Sequence, residues 1–327
     1  MTGPRTRRNG AVGLSAALVT ALALAGCSKP AANQTLPSAS PSGSPSSSPS
    51  PTPGATGPVA PLTGMTTTAA MAARPAIAVI VGVAGGSSPY GLSTADVVYA
   101  EYAEGGLVRL VAVFQSRDSA RVGPVTSTRP TDPKLLTVLH GCAAFSGGTS
   151  GFVKQLSGAG VCELSAPGSA ATPSLFAAAP HGLRPPPGVV PFAGPGQPLA
   201  AGRKVAHRLV VTMPGRATQT WTYDAAAALW RSAVGGTPVA AATVEVLVMP
   251  YNAIVVHHPL ATIQSAAVLG SGPATVVSGG FGVQGSWYRP SAKTLANVVD
   301  GSKKVVYPNH GAIWTVLAPS GSTATVT

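Results

Sequence analysis

A chain of 327 residues has room for about two domains, and its 39 glycines, 32 prolines and 9% charged residues favour loops, turns and sheet over long helices. The formal charge is +12, from 21 Lys and Arg against nine Asp and Glu, and no acidic residue precedes Asp96. Aromatics make up 5% and the basic residues are scattered, which argues against a nucleic-acid partner; a basic exported domain suits anionic lipid or acidic wall polymer instead.

The chain opens on "MTGPRTRRNG", a positive segment, followed by the apolar run "AVGLSAALVTALALA", which is too short for a comfortable membrane span. The run ends in Leu24-Ala25-Gly26-Cys27. Positive charge, apolar length, small residues and cysteine fall in the order of a bacterial lipobox, in which Cys27 receives a diacylglyceryl group and becomes the new amino terminus. Two acyl chains suffice for stable attachment. No later stretch has eighteen consecutive apolar residues, so residues 1–27 read as a lipoprotein signal peptide. The expected location is exported, lipid-anchored, on the extracytoplasmic face of the plasma membrane. Residues 28–73 follow as a disordered Pro/Ser-rich tether, because "PSASPSGSPSSSPSPTPGATGP" has nothing to bury and its prolines favour extended backbone.

The folded part begins near residue 74. "RPAIAVIVGV" is a β-branched run that predicts a buried strand. "VVYAEYAEGGLVRLVAVF", Val97 to Phe114, reads as strand, Gly105-Gly106 turn, strand. "PKLLTVLHG" predicts a short helix with Pro133 near its start and Gly141 just past its end. "CAAF", then "TSGFVKQLSGAG" with Thr149 or Ser150 at its cap, then "VCEL", predict a parallel βαβ element. The Pro/Gly-rich stretch 180–202 is the expected boundary, and beyond it come short strands separated by turns. The fold class is thus α+β. A mixed α/β amino-terminal domain, 74–200, carries the hairpin and the βαβ element; a mostly antiparallel β carboxy-terminal domain, 201–320, follows.

"GLSTADVVYAEYAEGGLVRLVAVFQSRDSARVGPVTSTRP", "FSGGTSGFVKQL", "APHGL" and "VQGSWYRP…DGSKKVVYPNHGAIWTVLAP" resemble the YerB-like bacterial lipoproteins, domain-of-unknown-function family 3048. The most specific match is Glu104-Gly105-Gly106-x-x-Arg109, and the resemblance covers residues 74–318. It implies envelope location and architecture more than chemistry. The chain departs from the family pattern at Ala100, where the family carries Glu, at Thr126, where it carries Arg, at Phe145 or Ser146, where it carries His, and at Gly182, where it carries Asn. An Asp-Asn pair after the first strand is missing near Val81 and Gly82.

A two-residue turn at Gly105-Gly106 pairs Tyr102 with Arg109 and places Glu104 diagonal to Arg109 on one face, with Glu101 on the other. In that register the two glutamates are not a catalytic pair. Glu104 and Arg109 then form either a structural ion pair at a sheet end or a ligand site with Arg109 as an anion clamp. Arg129 in the polar loop and His181 in "APHGL" are candidates for the same ligand-binding cleft. Cys142 and Cys162, the two cysteines besides Cys27, form a disulfide or remain two buried thiols. No metal-ligand spacing, phosphate loop or dinucleotide fingerprint appears, so no cofactor is expected. These features favour a binding or assembly module over an enzyme, with acidic wall polymer, peptidoglycan or an envelope protein as partner. The alternative is an envelope glycan or peptidoglycan hydrolase or transferase built on Glu104, Arg109, Arg129 and His181.

Overall fold

The computed structural model describes residues 57–83, 88–166, 170–172, 176–178, 182–188, 192–193, 199–200, 202–215, 218–257 and 260–327, all within one compact unit. Cys27, the signal segment and most of the tether lie outside the described residues, as does His181.

Order begins before residue 74. Residues 57–73, which composition assigns to the tether, pack onto the fold: Ala60, Leu62 and Thr63 are buried, and Gly311 N–H donates to the Thr63 carbonyl at 2.8 Å. Leu62 supplies the apolar side chain that the Pro/Ser-rich stretch before it lacks, and it joins the core. A single-turn helix, α1 (Ala69–Ala72), leads into the first strand, with the Thr68 hydroxyl accepting the Met71 N–H at its start.

The strands before residue 200 are β1 (Ile77–Val83), β2 (Val97–Tyr102), β3 (Val108–Phe114), β4 (Cys142–Phe145) and β5 (Cys162–Ser165). Two short helices lie among them, α2 (Asp132–Leu136) and α3 (Ser150–Gly158). Then follow β6 (Lys204–Val205), β7 (Arg208–Thr212), β8 (Gln219–Asp224), β9 (Leu229–Val234), β10 (Thr237–Ala241), β11 (Thr243–Met249), β12 (Tyr251–His257), β13 (Leu260–Ala266), β14 (Gly270–Ser278), β15 (Phe281–Arg289), β16 (Asn297–Asp300), β17 (Ile313–Pro319) and β18 (Thr323–Val326). The protein is mixed and mostly β with few helices, which is consistent with an α+β class.

The large sheet runs β16-β15-β14-β11-β17-β2-β3-β1-β4-β5, with β6 also on β15. Strands from both sides of the Pro/Gly-rich stretch therefore share it, joined where β17 lies parallel to β2. β4 and β5 are parallel and bracket α3, so the βαβ element is present. A second sheet, β10-β9-β8-β7-β18, packs on one face, and β12 and β13 form a separate ribbon.

Side-chain alternation assigns the layers. Val98, Ala100, Leu110, Ala112, Val246 and Trp314 meet the smaller sheet through Leu209, Trp221 and Trp230. Val97, Val111, Val113, Leu247 and Leu317 point the other way, toward Leu135, Leu136, Leu139 and Leu156 of the helical segments. Pro133 sits in the first turn of α2, where its missing N–H costs no hydrogen bond.

Candidate functional site

The β2–β3 hairpin closes with three loop residues, not two. Ala103 N–H donates to Leu107 O at 2.8 Å, and Glu104, Gly105 and Gly106 form a single 3-10 turn between them. Gly105 holds φ +66°, a left-handed conformation that glycine adopts at little cost. The extra loop residue moves the register by one. Glu101 pairs with Arg109 and Tyr102 with Val108, so the expected Tyr102–Arg109 pairing and the diagonal Glu104–Arg109 contact are not what forms.

Glu101 and Arg109 consequently share the face that looks toward α2. Arg109 Nη1 donates to Glu101 Oε2 at 2.6 Å, and Arg109 Nη2 donates to Asp132 Oδ2, at the first turn of α2. All three side chains are at most 4% exposed. Asp132 Oδ2 also accepts from Thr128 Oγ1 at 2.9 Å and from Arg129 N at 2.7 Å. One guanidinium thus sits between two carboxylates and ties the hairpin to the start of α2. Burial pushes the Glu101 carboxyl above its usual range, with Arg109 pulling it down and Asp132 pushing it up. Burial lowers the Arg109 pKa, but Asp132 and Glu101 outweigh that and the net shift is upward. Glu101 Oε1 and Asp132 Oδ1 have no hydrogen-bond partner in the structure. Tyr251 closes the cluster from the ribbon. Its hydroxyl donates to Leu317 O at 2.6 Å and accepts Tyr102 N–H at 3.1 Å, and burial, then Glu101, drive its pKa well up.

Glu104 and Arg129 lie at the edge of this cluster, 30% and 23% exposed. Arg129 Nη2 donates to Glu104 Oε2 at 3.2 Å, and Gln264 N–H of β13 donates to Glu104 Oε1, also at 3.2 Å. Three of the four expected ligand residues, Glu104, Arg109 and Arg129, are thus linked through one network with Asp132 between the arginines. The fourth, His181, lies outside the described residues. Sequence reading missed Asp132 as a partner and treated Glu101 as an isolated oddity. The available signal was Asp132 immediately before Pro133 at a helix start, downstream of the loop that carries Arg129.

A second acid lies one row away on the same sheet face. Glu245, Thr315 and Tyr99 are register partners on β11, β17 and β2. Thr315 Oγ1 donates to Glu245 Oε2 at 2.9 Å, and burial raises the half-buried Glu245 to about 7.

On the opposite face of the large sheet is a cavity of about 730 Å³. Its walls come from residues 60–67, the Leu92–Val98 region, β9 and β10, and the Gly311–Trp314 stretch. Leu92, Val98, Leu229, Val239, Ile313 and Trp314 make it apolar, and Arg117, Arg231 and His310 also line it. No Asp or Glu is among its lining residues. A volume of this size lies in the range of small-molecule sites, about 300–1,000 Å³.

Cys142 and Cys162 open β4 and β5 and are register partners at disulfide distance, with Cα atoms 4.3 Å apart. Among the described residues no group of three His, Cys, Asp or Glu could hold a metal ion, and no helix is long and apolar enough to cross a membrane.

Comparison with known proteins agrees with the fold and its hairpin. The crystal structure of YerB from Bacillus subtilis superposes with a TM-score of 0.66 at 19% identity, over 82% of this chain and 99% of that one, which shows a shared fold. "Putative lipoprotein YerB" of Bacillus subtilis (strain 168) is 38% identical over 98 residues, and that match spans 30% of each protein. Two departures from the family pattern, at Gly82 and Thr126, are in contact here: a Cβ on Gly82 would stand 3.3 Å from Thr126 Cβ. Residues 62–185 match the family model described as "Protein of unknown function (DUF3048) N-terminal domain", and this match, the shared fold and the Glu-Gly-Gly-x-x-Arg hairpin together support the resemblance to the YerB-like proteins.

Proposed function

We propose that this chain is a cell-envelope lipoprotein, anchored through Cys27 to the outer face of the plasma membrane, that works as a binding module rather than an enzyme. The observation that carries the reading is the apolar cavity of about 730 Å³ between the two sheets. The charged cluster has the marks of a clamp. Its guanidinium and both carboxylates are buried against one another, and they hold the hairpin and the start of α2 together. The test uses N-phenyl-1-naphthylamine, a neutral probe that brightens in apolar surroundings. Residues 27–327 with Cys27→Ser should give saturable fluorescence. Val239→Trp, at a buried position in the cavity wall, should fill the space and remove it, with thermal unfolding confirming that the variant is folded. Equal signal from both proteins would refute the cavity as the binding site.

One observation favours a second reading, an envelope glycan or peptidoglycan hydrolase or transferase using Glu104, Arg109, Arg129 and His181: Glu104 and Arg129 are partly exposed above the buried cluster. That reading expects release of soluble fragments from purified peptidoglycan and loss of release in Glu104→Gln. No release by the unsubstituted protein would dismiss it.

A further inference from the structure

We propose that the cavity takes an anionic amphiphile, a single alkyl chain ending in phosphate or carboxylate. This rests on the reading of the cavity as the binding site.

Two observations define the ligand class. The interior is apolar, and each methylene moved into such a site from water contributes roughly fourfold in affinity. The charges in the lining are of one sign. Arg117 and Arg231 line the cavity, and no carboxylate does. Arg231 is already matched by Asp224, at 2.7 Å. Arg117 is exposed and has no ion pair among the described residues. The nearby acid, Asp96, is turned inward. Its oxygens accept Gln115 N–H at 2.6 Å, Ser116 N–H at 2.7 Å and the Ser116 hydroxyl; Arg117 acts on it through space but forms no ion pair with it.

A cation would meet repulsion at this mouth, and an uncharged amphiphile would fill the interior but leave Arg117 unanswered. A small hydrophilic anion would pair with Arg117 and leave the interior empty. An alkyl chain with an anionic head satisfies both parts at once. A protein tethered to a membrane by a lipid also works beside a supply of such molecules.

The experiment is calorimetric titration of residues 27–327 carrying Cys27→Ser, with decyl phosphate below its micelle-forming concentration, decanol and inorganic phosphate. Decyl phosphate should bind one to one, at least tenfold tighter than decanol, and inorganic phosphate should show no saturable binding. Arg117→Gln should weaken decyl phosphate by roughly ten- to a hundredfold, the range of a charge-assisted hydrogen bond, and leave decanol unchanged. Val239→Trp, in the apolar wall, should abolish both, with thermal unfolding confirming that each variant is folded. Equal binding of decanol and decyl phosphate, or an Arg117→Gln protein that still prefers the phosphate, would overturn the anionic class while leaving the cavity as a site. Saturable binding of inorganic phosphate alone would overturn the amphiphile. No binding of any apolar probe would overturn the cavity reading itself.

Discussion

Replacing Arg109 with Met removes the one cation that faces both Glu101 and Asp132, while the similar length and apolar stem limit the change in packing. Glu101 and Asp132 are 1% and 0% exposed, so neither recovers its lost partner from water. Stranding buried charge in this way costs about 3–5 kcal/mol, equivalent to a fall in Tm of roughly 6–15 °C for a fold of this size. The sign of the pH dependence follows from Glu101. Burial already holds its folded pKa above the unfolded value of 4.5, and loss of Arg109 raises it further. A raised folded pKa gives stability that is present below the unfolded pKa and lost as pH rises through the folded one. The Arg109→Met deficit should therefore be largest at pH 7.5 and shrink toward pH 4.5. Denaturant unfolding of wild type and variant across that window reads it directly. A loss below about 1 kcal/mol at pH 7.5, or a deficit that does not change with pH, would refute the buried clamp.

Three further outcomes follow from the same geometry. Glu104→Gln, at a partly exposed pair, should cost less than about 1 kcal/mol by denaturant unfolding, and a loss comparable to that of Arg109→Met would mean that Glu104 is the arginine's true partner. Glu245→Gln should stabilise the protein at pH 8 and leave it unchanged near pH 4.5. The raised pKa of about 7 corresponds to roughly 3 kcal/mol, discounted to about 2 kcal/mol for the solvent that Glu245 retains; equal effects at both pH values would contradict it. Reduction should release two alkylatable thiols at Cys142 and Cys162 and lower stability by about 3 kcal/mol, given a separation of 20 residues. Full alkylation without reductant would show that the bond does not form.

Much of the chain's local structure is written in its periodicity and turn residues. The β1 run, the β2–β3 hairpin, α3 between β4 and β5, and the short strands after residue 203 all form where pattern and glycine placement put them. What pattern could not decide was loop length. Gly105 and Gly106 look like a two-residue turn, yet Glu104 joins them, and that one residue exchanges Glu104 for Glu101 as the partner of Arg109. Long-range order was also out of reach. β17 lies parallel to β2 although more than 200 residues separate them, and no local signal specifies such a pairing. The same holds for Asp132, which becomes a partner of Arg109 only when α2 packs on the hairpin. The cavity draws its walls from five separate segments, so only the folded chain reveals it.

The central claim is that the cavity between the two sheets holds an apolar ligand, and native mass spectrometry of the full chain released from its own membranes tests it most directly. A non-covalent adduct is expected, retained by the unsubstituted protein and missing from the folded Val239→Trp variant. An adduct that persists unchanged in Val239→Trp, or a protein that carries none, would contradict the cavity as a binding site.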